Sequence, residues 1–184
     1  MRFVRTSLLC ALVPLALAAC GDIGDDLLPS GDDRRSAVET GVTGPGVGQI
    51  APDFTAPDSF GEDYTLSAER PSTGGVVLYF TMWCPVCDSH MGHLRETILP
   101  RFPEVEFLAV DYVSGSVADA RSAQEAHGFG GTALRVVADI EGEIEALYGG
   151  TMGTTVAIDS SGVVQMNEDY RNGARLETVL EGFR

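Results

Sequence analysis

Apolar and polar positions along the chain alternate between strand-like and helix-like patterns from residue 49 onward. Ala51-Pro52-Asp53-Phe54 opens a short hairpin region that runs to Leu66. Gly75 to Met82 is an unbroken apolar, β-branched and aromatic run, the pattern of a central strand covered on both faces. Pro85 to Leu99 reads as a helix with Val86, Met91, Leu94 and Ile98 on roughly one face, and Pro100 and Pro103 end it. Val105 to Val113 predicts a second buried strand. Ser116 to His127 predicts a helix with Ser116 as its N-cap. A short strand over Leu134–Ala138 and a short helix over Glu141–Tyr148 follow. Thr154–Ile158 and Val163–Met166 are strands joined by the turn Asp159-Ser160-Ser161-Gly162, and Arg175–Phe183 closes as a helix. No internal repeat is visible. The sum is an α/β domain over residues 49–184, a sheet with helices on both faces and a C-terminal hairpin.

The N-terminus breaks this pattern. Arg2 and Arg5 form a short basic region, and Leu8 to Ala18 is apolar, a signal-peptide core too short for a comfortable membrane span. It ends Leu17-Ala18-Ala19-Cys20-Gly21, which resembles a bacterial lipobox, where the signal is cut before a cysteine that is then lipidated. Residues 1–19 are therefore read as a lipoprotein-type signal peptide and Cys20 as the lipid-bearing residue. An ordinary cleavage site or an uncut anchor are the alternatives, and all three put the domain outside the cytoplasm. Two or more acyl chains would hold it stably on a membrane, since each buried methylene adds about 0.8 kcal/mol. Residues 20–48 carry Asp22, Asp25, Asp26, Asp32, Asp33 and Glu39 among Gly, Ser and Thr, with four glycines and Pro45 between Gly41 and Gly48. That composition predicts a flexible acidic tether.

Composition narrows the function class. A net charge of −15 and the absence of any lysine leave no basic patch for nucleic acid. A hydrophobic content of 44% supports one full core within 184 residues. Four cysteines are present. With Cys10 in the removable signal and Cys20 lipidated, Cys84 and Cys87 remain as one C-x-x-C pair with no second pair to complete a four-ligand zinc site. A lone vicinal dithiol suits a redox cycle.

A strand feeding directly into a helix that starts at C-x-x-C has a chemical consequence. Cys84 takes the N-cap and Cys87 lies one turn inside, so unpaired backbone N–H groups and the positive helix end face the first sulfur and favour thiolate there. Pro85 fits the first helical position, where no N–H partner is needed. Trp83 screens one side of the pair from water. Cys84 is then the attacking nucleophile, and Cys87 the thiol that resolves the mixed disulfide.

These residues carry a family resemblance. Ala51-Pro52-Asp53-Phe54, Tyr79 to Cys87, and Tyr148-Gly149 with Thr154 to Asp159 and Gly162 resemble the thioredoxin-fold redoxin family. The likeness is strongest to membrane-tethered bacterial thiol–disulfide oxidoreductases, including reductases of cytochrome c maturation. The resemblance implies a thioredoxin-like α/β fold with a central mixed sheet and helices on both faces. It also implies a protein thiol or disulfide as substrate, a membrane electron donor, attachment through the lipid anchor on the periplasmic side of an envelope membrane, and no cofactor. Two positions depart from it. The family's cis-proline before the late strand is replaced by Gly153, preceded by Met152, and both belong to the active-site surround. The glutamate common in tethered reductases three residues after the second cysteine is replaced by His90.

Histidine suits proton transfer near neutral pH, and His90 lies one turn beyond Cys87. Three readings stand for it: a proton relay, a helix-surface residue, or a metal ligand with Cys84 and Cys87. Three-residue steps on a helix drift about 60° per step, which would let those three converge and swing His93 away. His127 is read as a partner of its own helix C-terminus. Copper binding or delivery through Cys84, Cys87 and His90 is one alternative to the redox reading, because thiolates and imidazole suit Cu(I). A thiol peroxidase is the other; Thr81, three residues before Cys84, keeps a fragment of the peroxidase frame, but neither its proline nor its arginine is in the lead-in.

Overall fold

Strand β3 (Gly75–Thr81) is buried at every position in the computed structural model, which describes residues 38–183. Its neighbours explain why. β4 (Val105–Asp111) pairs with it in parallel and β6 (Thr154–Asp159) antiparallel. β5 (Arg135–Ala138) extends the sheet beyond β4, and β7 (Val164–Asp169) extends it beyond β6, giving the order β5-β4-β3-β6-β7. This is the mixed sheet of a thioredoxin-like α/β fold. Ahead of it, β1 (Thr55–Pro57) and β2 (Asp63–Thr65) form the early hairpin, and one helical turn, α1 (Leu66–Glu69), leads on from it.

Period-two alternation divides the core. Val77 and Tyr79 of β3 point to one face, where α2 (Pro85–His93) contributes Cys87 and Met91 and α5 (Ala174–Glu181) contributes Leu176 and Leu180. Val76, Leu78 and Phe80 point to the other, against Leu66 of α1 and Ile144 and Tyr148 of α4 (Glu143–Tyr148). Burial of a large apolar side chain is worth about 1.5–3 kcal/mol, so a strand packed on both faces firmly anchors the chain at its C-terminal end. The peptide immediately after β3 is the C-x-x-C segment.

The long helix read from Pro85 to Leu99 is α-helical only to His93. Leu94–Ile98 widen into a π-helical turn and Leu99–Arg101 tighten into a 3₁₀ turn. Pro100 has no N–H to continue the ladder and its ring collides with the carbonyl four residues back. α3 (Val117–Ala126) begins as the sequence suggests, with the Ser116 side chain accepting from the Asp119 N–H.

The glycine-rich stretch 41–48 differs from the open tether expected of it. Gly41 N–H donates to Gly48 O (3.0 Å), and Ile50 N–H to Val42 O (2.9 Å). Gly48 N–H and Val164 N–H then tie this turn to the start of β7 (2.8 and 2.9 Å), and Asn167 Nδ2 donates to Pro45 O. Its glycines supply φ values of 78° and 85° at residues 41 and 48, so they shape a turn. The segment 1–19 expected to be a signal peptide, with Cys10, and the expected tether from Cys20 up to residue 37 lie outside the described residues. Among the described residues no helix is long and apolar enough to cross a membrane.

Candidate active site

Cys84 is the N-cap of α2, with extended backbone angles, and its Sγ accepts a hydrogen bond from the Cys87 N–H at 3.2 Å. Pro85 occupies the first turn. The two sulfurs lie 2.8 Å apart as free thiols. Cys84 is partly exposed and Cys87 is fully buried, so only one sulfur of the pair can be reached from outside. Burial by itself raises the Cys87 pKa. Hydrogen bonds with the Cys84 thiol, the backbone of Met82 and Cys84, and the Thr81 hydroxyl outweigh it and hold the group below its ordinary value. The 2.8 Å contact places one hydrogen bond between the two sulfurs.

Trp83 enters the site at a backbone φ of 56°, the one non-glycine residue with positive φ among those described. A bulky residue there is strained. Three contacts hold it: its N–H donates to Thr81 Oγ1 (3.1 Å), its indole N–H donates to the buried Asp111 carboxylate (2.7 Å), and its ring lies 5.3 Å from that of His127. Asp111 is itself fixed by the Ser114 hydroxyl and by the N–H groups of Val113 and Ser114. His127 caps α3, but its Nδ1 also pairs with Asp88 of α2 at 2.8 Å. It therefore braces the helix that carries the dithiol, a wider role than a partner for its own helix end.

Gly153 sits buried directly before β6 at φ 86°, and no peptide bond among the described residues is cis. Its N–H donates to Phe80 O (3.0 Å) and its carbonyl accepts from the Tyr170 N–H (2.8 Å) and the Thr155 hydroxyl (3.1 Å). The atoms nearest to a Cβ at this position would be Nδ1 and Cε1 of His90, at 3.9 and 4.0 Å. Met152, Met82 and Val86 are exposed apolar side chains flanking these elements.

His90 does not join the two sulfurs as a donor set. Its Nδ1 pairs with the Tyr79 hydroxyl at 3.0 Å, and its ring lies 4.7 Å from that of Tyr170 at a tilt of 45°. Among the described residues no group of three His, Cys, Asp or Glu side chains is placed to hold a metal ion. His93, which helical drift should carry off, stays in the same cluster: its Nδ1 meets the Tyr170 hydroxyl at 2.6 Å. Burial, and then the charge of His93, keep the His90 pKa below the ordinary histidine value. Sequence reasoning missed the contacts of Tyr79, Tyr170 and Asp111, and gave Thr81 a place only in the peroxidase frame. Tyr79 was within reach, since alternation along β3 places it on one face with Val77, which packs against α2.

Comparison with known proteins agrees with this architecture. No curated protein sequence matches the chain. A thiol:disulfide interchange assignment, DsbE of Chlorobium tepidum, belongs to a structure with a TM-score of 0.62 and 24% identity, over 74% of this chain and 96% of that one. A secreted Mycobacterium tuberculosis disulfide oxidoreductase homologous to E. coli DsbE aligns at TM-score 0.55 and 19% identity, over 70% and 95%. Peroxidoxin BcpB of the same organism aligns at TM-score 0.59 and 24% identity, over 75% and 96%. The AhpC/TSA family pattern matches residues 47–167, from the glycine turn through the dithiol to β7, and on that match the chain belongs to the AhpC/TSA family of thioredoxin-fold redoxins.

Proposed function

We propose that the protein is an extracytoplasmic thiol–disulfide oxidoreductase that works as a reductase on protein disulfides. The observation that carries this reading is the asymmetric dithiol: one partly exposed sulfur on a helix N-cap, 2.8 Å from a buried one. Cys84 as thiolate attacks one sulfur of a substrate disulfide, forming a mixed disulfide and releasing the first substrate thiolate. Cys87 then loses its proton and attacks the Cys84 sulfur. The Cys84–Cys87 disulfide forms, the bond from Cys84 to substrate breaks, and the second thiolate leaves. The substrate gains two electrons and the protein loses two. A membrane dithiol donor returns them.

The exposed side chains of Met82, Val86 and Met152 offer an apolar rim to a polypeptide substrate, and Trp83 and Pro85 hold the shape of the segment between. Lipidation at Cys20 would keep the domain at the periplasmic face of an envelope membrane. The tested outcome is direct. Cys84→Ser should abolish insulin reduction, whereas Cys87→Ser should accumulate a covalent mixed disulfide through Cys84. Full activity in Cys84→Ser would overturn the reading. Thiol peroxidase activity is the second reading, supported by the hydroxyl of Thr81 against the sulfur pair and by the likeness to a peroxidoxin. Rapid oxidation of Cys84 by micromolar hydrogen peroxide would favour it.

A further inference from the structure

Parallel strands end on the same side of a sheet, so β3, β4 and β5 bring three connecting segments to the pole that carries the dithiol. Hydrogen bonds join those segments. The Trp83 indole N–H and the Val113 N–H both donate to the Asp111 carboxylate (2.7 and 3.1 Å), and the Asp139 N–H donates to Asp111 O (2.8 Å). The Gly153 N–H, bonded to Phe80 O, brings Met152 to the same pole. Outside residues 38–60, the exposed large apolar side chains among the described residues are Met82, Val86, Val113, Ile140 and Met152, and all five stand here. Apolar side chains gathered around a reactive group mark a contact surface.

Charge decides what that surface contacts. Residues 136–170 contain no arginine, and the chain has no lysine. Within that stretch Glu141, Glu143 and Glu145 follow Ile140 in the loop and first turn of α4, the first two exposed and the third half-buried. Arg95, Arg101, Arg121, Arg135 and Arg175 are held in ion pairs with other carboxylates. The three glutamates are fixed in place. The Asp139 carboxylate accepts from the Ile144 and Glu145 N–H groups (3.1 and 2.8 Å), which holds this loop against the end of β5. Asp88 of α2 is paired with His127, and Arg171 follows β7 on the other side of β3. Negative charge therefore lines the β5 side of the apolar surface. We propose that this surface selects polypeptide disulfides that carry lysine or arginine beside an apolar residue, the cation lying over Glu141, Glu143 and Glu145 while Cys84 attacks the disulfide. This names a substrate class for the thiol–disulfide reading and rests on it. A cationic segment is drawn in and turned with its charge toward α4, whereas an acidic segment is repelled. The same field repels an anionic lipid surface.

Two synthetic peptides test this, alike in one intramolecular disulfide and one leucine, and different in carrying flanking lysines or flanking glutamates. Acid-quenched mass spectrometry follows oxidation of the reduced protein by each peptide. Every rate is divided by that of dithiothreitol with the same peptide, which removes differences in the disulfides themselves. Wild type should favour the lysine peptide by about tenfold in about 10 mM salt, and by about threefold or less in about 500 mM salt, where charge is screened. The triple variant Glu141→Gln, Glu143→Gln, Glu145→Gln should hold a low-salt preference of about threefold or less. A second triple variant, Glu39→Gln, Glu96→Gln, Glu181→Gln, removes the same charge from the glycine turn, the π-helical turn and the last turn of α5. Its preference should stay within about twofold of wild type. Because the preference is a ratio within one protein, any loss of folded material cancels. Equal rates for the two peptides with wild type at low salt overturn the proposal. So does an equal preference in the two triple variants, the mark of net charge alone. Failure of the underlying reading looks different: neither peptide would oxidise wild type, or Cys84→Ser would reduce both as wild type does.

Discussion

Replacing Gly153 by the proline that thioredoxin-fold redoxins carry should damage this protein. Proline fixes φ near −65°, whereas Gly153 sits at 86°. Proline also has no N–H, and the Gly153 N–H donates to Phe80 O at 3.0 Å, joining the end of β3 to the loop before β6. Loss of that hydrogen bond is worth about 0.5–1.5 kcal/mol, and a proline in an incompatible backbone costs roughly 3 kcal/mol or more. Gly153→Ala separates the two effects. It keeps the N–H, and its Cβ meets the His90 ring at an ordinary 3.9 Å, so only the left-handed backbone is penalised, by about 1–2 kcal/mol. For a domain of this size each kcal/mol moves the Tm by about 2–4 °C. Differential scanning calorimetry of the reduced proteins should thus give a fall of roughly 2–8 °C for alanine, and at least about 6–12 °C for proline. A proline variant as stable as wild type would refute the reasoning, because it would mean that the loop rebuilds around a different peptide geometry at no cost.

Trp83→Phe keeps an aromatic ring beside His127 but deletes the indole donor to Asp111, which retains three other partners. Urea denaturation should show a loss of about 1–2 kcal/mol, and no loss would mean that the 2.7 Å contact is idle. Two depressed groups at the site contribute to the pH dependence of the reduced protein. Cys87 lies below its ordinary 9.0, so its contribution is fully present above that pH and fades as pH falls through the folded value; stability should rise with pH on that limb, and Cys87→Ser should flatten it. His90 lies below 6.5, so its contribution is present above 6.5 and lost as pH drops through the lowered value. Thermal melts from pH 4 to 7 should show an acid limb that His90→Ala reduces.

The sheet was legible because its signals are local. Seven consecutive buried residues in β3 read as a strand covered on both faces, and Ser116 and the Asp159–Gly162 turn announce their elements by chemistry within three or four residues. The dithiol was legible for the same reason: cap, proline and second thiol lie within one helical turn. The features that escaped are long-range. Tyr170 lies 77 residues from His93, and Asp88 lies 39 from His127, so no spacing rule joins them. Tyr79 was hidden differently. In an apolar run its ring reads as core, which it is, while its hydroxyl meets His90 Nδ1. The glycine turn misled through composition, because the same residues make a tether when unpaired and a turn when a strand such as β7 supplies partners.

The two departures from the redoxin pattern are one structural choice. A side chain at 153 would have the His90 ring as its nearest neighbour, so the residues at 153 and 90 face each other across the end of β3. Glycine keeps that space open, where a Cβ would meet the imidazole at an ordinary 3.9 Å. It also accepts the positive φ that aims the 153 N–H at Phe80 O and the 153 carbonyl at the Tyr170 N–H. Tyr170 is thereby held where its ring meets the His90 ring at a tilt of 45° and its hydroxyl meets His93. A proline would remove the N–H, turn the backbone and release Tyr170 from the histidine pair. On this geometry a glutamate restored at 90 without a change at 153 would still lack the neighbours that tune it. A proline at 153 would remove the hydrogen bond that joins this loop to Phe80 O. Residues 79, 90, 153 and 170 thus form one connected set beside the dithiol, and single reversions toward the family pattern should cost stability.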